Sequence, residues 1–207
     1  AASALIVQWP GQVVDSQNGS ITFSIWITPA MPSMLPLLIV AMIQAAPIGA
    51  ARIQGTEVFS CDFGKSWDKD FNGEPDGWIR HGKGPGYPEY VSIKISEEAS
   101  VEGKHCLRID MDGGGAVLYS PSIRVGPLYG YLLEGHISTE QIEYARAFLS
   151  LTLLDEPKED RLPRRLESYR SEEFLETEGW VRVRLGPIAP KDPRVRSAII
   201  GLHVEPG

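Results

Sequence analysis

Short runs of alternating apolar and polar residues, each closed by glycine or proline, constrain this chain more than any other feature. Val91-Ser-Ile-Lys-Ile95 and Leu107-Arg-Ile-Asp-Met-Asp112 put an apolar side chain at every second position. That is the spacing of a strand with one face in a core. Residues 116–119, 128–137, 147–154, 181–185 and 197–204 continue the series. Gly113-Gly-Gly115, Ser120-Pro-Ser122, Val125-Gly-Pro127, Leu185-Gly-Pro187 and Lys191-Asp-Pro193 punctuate it as turns. No segment beyond Thr56 keeps an apolar 3.6-residue period over three turns; the best helical candidate, 161–176, is mostly charged and carries Pro163. With 21 glycines and 16 prolines in 207 residues the chain is turn-rich without being collagen-like or wholly disordered. The prediction is an all-β fold, a two-sheet β-sandwich over 56–207, long enough to bury a core without disulfides.

Charge divides the chain. Its net value of −7 argues against a nucleic-acid partner, which calls for a basic stripe. No charged residue lies between Asp15 and Arg52. Inside that blank, residues 35–43 are apolar and are followed by small residues ending in Gly49-Ala-Ala51. Nine apolar residues are short for a bilayer span and match the core and cleavage region of an export signal. Residues 31–52 are therefore read as a signal peptide, or else an anchor through 34–51 or a buried core segment. No Lys or Arg precedes the run. Met31 and Met34 do, which marks residues 1–30 as an N-terminal extension of doubtful origin. Ser20-Ile-Thr-Phe-Ser-Ile-Trp-Ile-Thr28 is strand-like and could equally supply an extra hairpin, and Asn18-Gly-Ser20 fits a glycosylation sequon. Residues 155–178 hold 14 charged residues of both signs, expected as a solvated face rather than a docking surface.

An ordered set of segments carries a resemblance. These are Val58-Phe-Ser-Cys-Asp-Phe-Gly64 as an opening strand, Asp76-Gly-Trp78, Gly103-Lys-His-Cys-Leu-Arg-Ile109 and Tyr119-Ser-Pro-Ser-Ile-Arg-Val125. Tyr129-Gly-Tyr-Leu-Leu-Glu-Gly135, Gly179-Trp-Val-Arg-Val183, Gly186-Pro-Ile-Ala-Pro190 and Ala198-Ile-Ile-Gly-Leu-His-Val204 follow. In this order they resemble the galactose-binding-like jelly-roll modules, which include many bacterial carbohydrate-binding modules. They are also similar to an uncharacterised family of exported bacterial proteins carrying such a module. The resemblance implies a jelly-roll sandwich, a structural calcium and a closing strand with an Asp-Asp step. The chain stops at Glu205-Pro-Gly207 before such a strand, so a fragment of a longer protein is expected, with other domains of that parent as partners.

Four groups of residues are candidates for chemistry. Asp68, Asp70, Asn72 and Asp76 stand at positions 1, 3, 5 and 9 of a calcium-type loop with Gly73 at position 6. Ile79 replaces the glutamate of position 12, leaving either a partial calcium loop or a polar Asx turn. Trp67, Tyr87 and Tyr90 cluster with Trp78 around a Gly/Pro-rich stretch. They offer flat faces for sugar rings, although aromatics in a sandwich also build cores, where Trp78 is expected. Trp180, Arg182 and Arg184 share one side of a predicted strand, opposite Val181, Val183 and Leu185. They form either a binding stripe or a surface covered by the charged 155–178 segment. Cys61 and Cys106 fall in predicted strands, where an exported chain is allowed a disulfide.

No nucleophile elbow, zinc helix or phosphate loop is present, and the four histidines are scattered. The expectation is a non-catalytic binding module of an exported bacterial protein, periplasmic, cell-surface or secreted, that recognises a glycan or cell-envelope component. No cofactor is required, and a structural calcium is an option rather than a necessity. A structural or protein-interaction sandwich is the alternative, and an accessory domain of a glycoside hydrolase a distant third.

Overall fold

The structure, a computed structural model, describes residues 3–8, 24–29, 56–81, 91–97, 105–112, 114–142, 145–158 and 161–206. The expected export segment at 31–52, the Asn18 sequon, Tyr87 and Tyr90 lie outside these residues. No helix among the described residues is long and apolar enough to cross a membrane.

The fold is all-β, and the described strands form two antiparallel sheets. The seven-stranded sheet holds β1 (Ser3–Gln8), β2 (Ser24–Pro29), β3 (Thr56–Glu57), β5 (Val91–Ser96), β6 (Cys106–Met111), β9 (Tyr129–Glu140) and β12 (Val181–Ile188). The six-stranded sheet holds β4 (Ile79–His81), β7 (Ala116–Tyr119), β8 (Ile123–Arg124), β10 (Ala145–Leu154), β11 (Arg165–Arg170) and β13 (Ser197–Pro206). All seven runs expected from alternation are strands.

In the first sheet β9 is the organising strand. Leu133 stands opposite both Leu185 of β12 and Ile25 of β2, and Ile137 opposite both Val181 of β12 and Val7 of β1. Hence β12 follows one edge of β9, while β1 and β2 lie end to end along the other. In the second sheet β13 pairs with β10 along its whole length and with β7 and then β8 along the opposite edge. The step between β7 and β8 is filled by Ser120. Its amide donates to the Ile200 carbonyl (2.8 Å), and its hydroxyl accepts from the Ile200 amide (2.9 Å).

Alternation delivers one shared core. Leu107, Ile109, Tyr131, Leu133, Ile137 and Val183 from the first sheet meet Leu149, Leu151, Leu153, Ala198, Ile200 and Leu202 from the second. Each such fully buried aliphatic side chain stabilises the fold by roughly 1.5–3 kcal/mol. Tyr131 is buried to its hydroxyl, which donates to the Gly126 carbonyl and accepts from the Gly126 amide, both at 2.7 Å.

The two sheets are also tied at their open side. β4 and β5 are the last strands of their sheets, and Arg80 of β4 reaches the Val91 carbonyl of β5 with Nη1 (3.0 Å). Gly186 is required where β12 bulges: a Cβ there would lie 2.6 Å from the Tyr131 carbonyl oxygen, and φ is +122°.

One expectation needs correction. Residues 58–64 are not a strand beyond β3. Asp62 accepts the Gly64 amide (3.0 Å), and Phe63 takes a left-handed φ of 48°. That conformation costs on the order of 1–2 kcal/mol. Burying the Phe63 ring completely, 5.5 Å from that of Trp78, offsets it. Residues 161–176, whose charge and Pro163 spoke against a helix, contain β11, an edge strand whose charged residues protect an open edge. Cys61 and Cys106 are both buried and stand as free thiols in this structure.

Replacing Tyr131 by Phe keeps the ring and strands the Gly126 amide and carbonyl. Urea unfolding is expected to show a loss of about 1 kcal/mol with an unchanged m-value.

Candidate functional site

The outward face of β12 is built by parity. Val183 turns fully inward, so Arg182 and Arg184 on either side of it turn outward. Across the ladder Arg184 stands directly opposite Glu134 of β9, and Arg182 opposite His136. Both guanidiniums therefore reach the same carboxylate: Arg182 Nη2 lies 2.8 Å and Arg184 Nε 3.1 Å from Glu134 Oε1. The Glu134 side chain is only 10% exposed, whereas Arg182 and Arg184 keep 57% and 48%. A buried carboxylate without its cations would cost several kcal/mol, so the pair is what permits Glu134 in an otherwise apolar strand. Trp180 is half-buried immediately before the strand. The charged 155–178 segment does not cover this face, since both arginines remain about half in solvent.

The outer face of the six-stranded sheet carries a different arrangement. The Phe148 and His203 rings lie stacked at 4.5 Å and 6°. The Arg170 guanidinium sits 4.0 Å from the Phe148 centroid, and Tyr119 meets His203 edge-on at 5.9 Å. His203 Nε2 is hydrogen-bonded to the Ser150 hydroxyl (2.8 Å), and Nδ1 lies 3.5 Å from Glu205 Oε1. This connectivity passes over Gly201. A Cβ at Gly201 would come within 2.5 Å of His203 Nε2 and closer still to Ser150 Oγ, so only glycine lets the imidazole lie flat.

Serine, histidine and glutamate are linked here in the order of a nucleophile, base and orienting acid. Ser150, however, stands in the middle of three paired strands whose amides are engaged in the ladders, and its hydroxyl lies against the sheet. No backbone donor on these strands is placed to hold an oxyanion. What the geometry supplies is a rigid ring stack. Burial lowers the His203 pKa below its usual 6.5; Glu205 pulls it up, Arg170 pushes it down, and burial prevails.

In the Asp68–Asp76 loop the carboxylates turn to backbone amides. Asp68 accepts from Asn72 (2.9 Å) and Gly73 (3.1 Å), Asp70 from Asn72 (3.3 Å), and Asp76 from Lys69 (2.8 Å). Asn72 in turn accepts from Glu74 (2.6 Å). Among the described residues no group of three or more His, Cys, Asp or Glu is arranged to hold a metal ion. In this arrangement the three carboxylates and Asn72 shape the loop through its own amides, the Asx-turn reading of the same residues. The loop also caps a sheet edge, where the Gly73 carbonyl accepts the Ile95 amide of β5 (2.7 Å).

The predicted aromatic face is not assembled from the described residues. Trp67 packs against the core and meets Phe59 edge-on at 6.1 Å, and Trp78 is buried. Of the predicted binding residues, Arg182 and Arg184 are brought together. Their partner Glu134 was not predicted; the signal was a lone acid inside the apolar run Tyr131-Leu-Leu-Glu-Gly-His-Ile137, which demands a counter-charge. Burial pushes the Cys61 thiol well up, and the Cys106 thiol donates to the Ser96 carbonyl (3.7 Å), so neither is poised to react.

Two outcomes follow from these geometries. The folded chain favours neutral His203, so this stabilising term is complete above about pH 6.5 and is lost as pH falls below it. The groups facing the ring are Ser150 of β10, Arg170 of β11, Tyr119 of β7 and Glu205 of β13 itself, with one carboxylate among them. Urea midpoints taken from about pH 7.5 to 5.5 should drop, and the drop should be smaller in His203→Gln. Separately, Asp68→Ala removes the acceptor of two loop amides and should cost about 1 kcal/mol. That cost should be equal with and without millimolar calcium; a cost seen only with calcium would mark the loop as a metal site.

Compared with known proteins, the chain matches no family model, no curated protein and no solved structure.

Proposed function

We propose that this chain is a non-catalytic binding module of an exported bacterial protein, a galactose-binding-like jelly roll that recognises a glycan or another cell-envelope component. The observation that carries this reading is the face of β12. There Arg182 and Arg184 stand half in solvent, fixed by one buried carboxylate, with Trp180 at the head of the strand. A sugar is recognised by an indole or similar face against its ring and by planar donors to its oxygens, held on a scaffold that does not have to reorganise. A sheet edge anchored by the β9–β12 ladder supplies that rigidity. The other aromatic row, on the six-stranded sheet, is spent on itself: Phe148 and His203 are buried against each other and leave no open plane. The reading requires no cofactor, and other domains of a longer parent would act beside it.

A structural or protein-interaction sandwich is the second reading, favoured by Trp67 and Trp78 both packing into or against the core instead of lining a groove. A glycan array probed with the purified chain separates the two. Binding to a saccharide class that disappears in Trp180→Ala, with the melting temperature retained, is expected. An array without a hit would leave the interaction sandwich as the function.

A further inference from the structure

We infer that the β12 face selects an anionic saccharide, whose carboxylate or sulfate docks on the paired guanidiniums of Arg182 and Arg184; this rests on the glycan-binding reading above. The argument begins with the charge count around Glu134. Two guanidiniums share one carboxylate oxygen, at 2.8 and 3.1 Å, so the cluster carries one positive charge in excess. One arginine would have been enough to neutralise Glu134, and the second is not consumed by the fold.

The donors left over are also the right kind. An arginine has five N–H groups in a planar fork. Each of these arginines places one nitrogen on a single oxygen of Glu134, its only carboxylate partner among the described residues, and keeps about half its surface in water. A planar fork matches a carboxylate or a sulfate through paired hydrogen bonds, which a neutral hydroxyl cannot return with equal strength.

Positioning strengthens the case. A free arginine loses roughly 2 kcal/mol of rotamer entropy when it is immobilised. Here the ladder and Glu134 have already fixed both side chains, so an incoming anion meets donors whose ordering is largely complete. The surroundings set the size of the ligand's charge. The whole chain carries −7, so a polyanion such as nucleic acid is repelled at long range, while a single acidic group reaching the pair gains a short-range contact. An acidic sugar unit within a glycan, a uronate or a sulfated residue, has that chemistry.

The test titrates the full chain by calorimetry with three galactose oligosaccharides of equal length: one carrying a single galacturonate, its methyl ester, and one carrying a single sulfate. The acid and the sulfate are expected to bind about tenfold tighter than the ester, with the difference shrinking as salt rises. Arg184→Gln leaves Arg182 to neutralise Glu134. It should weaken the acid and the sulfate about tenfold and the ester by less, which removes the preference for the anionic ligands, while the melting temperature holds. Arg182→Gln should do the same, which guards against one variant failing to fold. Equal binding of acid, sulfate and ester would overturn the anionic preference and leave the glycan-binding reading standing. Binding of ester with no binding of acid or sulfate would overturn it as well. No binding of any saccharide, on the array or by calorimetry, would overturn both.

Discussion

The fold depends on one ladder, the ten-residue antiparallel pairing of β10 with β13. Residues 145–154 and 197–206 are about fifty positions apart in the chain, yet they pair in one register from Ala145 opposite Pro206 to Leu154 opposite Ser197. A slip by a single residue would exchange the two faces. If β13 slipped, Ala198, Ile200, Leu202 and Val204 would leave the core and His203 would enter it. The outer face reinforces the register. The Ser150–His203 hydrogen bond closes over Gly201 only when that glycine stands beside Ser150, and the two are direct cross-strand partners. Ser120 adds a third marker by closing its paired bonds on Ile200.

Open edges are the liability of such a sandwich, and the chain deals with them by different means. β11 is blunted by charge: Arg165, Glu167 and Arg170 lie along it, and Arg170 and Arg146 share Glu173 at 2.5 and 2.9 Å. β5 is capped by backbone and side chain from the other sheet's side. The Gly73 carbonyl takes the Ile95 amide, and Arg80 takes the Val91 carbonyl. This gives the Asp68–Asp76 loop a purpose independent of any ion. Its carboxylates shape the turn that delivers Gly73 to the edge, and the same oxygen-rich spacing reads in sequence as the start of a calcium loop.

Alternation made most of the sandwich legible, because each long strand has one buried face and one wet one. It failed where that condition fails. β11 is an edge strand with charges along it, so Arg165-Leu-Glu-Ser-Tyr-Arg170 reads as a charged helix or loop. β4 and β8 are three and two residues long, too short for any period. Residues 58–64 alternate well but turn sharply at Phe63, where burying a ring outweighs an unfavourable backbone. The candidate site was half legible. Parity alone placed Arg182 and Arg184 on one face, whereas the register that brings Glu134 beneath them is a long-range property that no local pattern encodes. Gly201 was opaque for the same reason, since its necessity comes from Ser150 and His203 on the outer face.

The fold and the proposed recognition surface share a single interaction at β12. Glu134 is tolerated inside β9 because a guanidinium compensates it, and both guanidiniums are held close together because Glu134 is buried beneath them. Each exposed ion pair taken alone would be worth at most about 1 kcal/mol. The value lies in the asymmetry between a carboxylate nearly out of water and cations half within it. That asymmetry pins β12 to β9 on the inner side and leaves oriented donors on the outer side. A neutral isostere such as a glutamine could satisfy the ladder's geometry. It would not hold two like charges close together, because at such separations their mutual repulsion needs an anion between them. The buried acid is therefore what makes a two-arginine surface possible on this strand, and a two-arginine surface is more than the sandwich needs in order to fold.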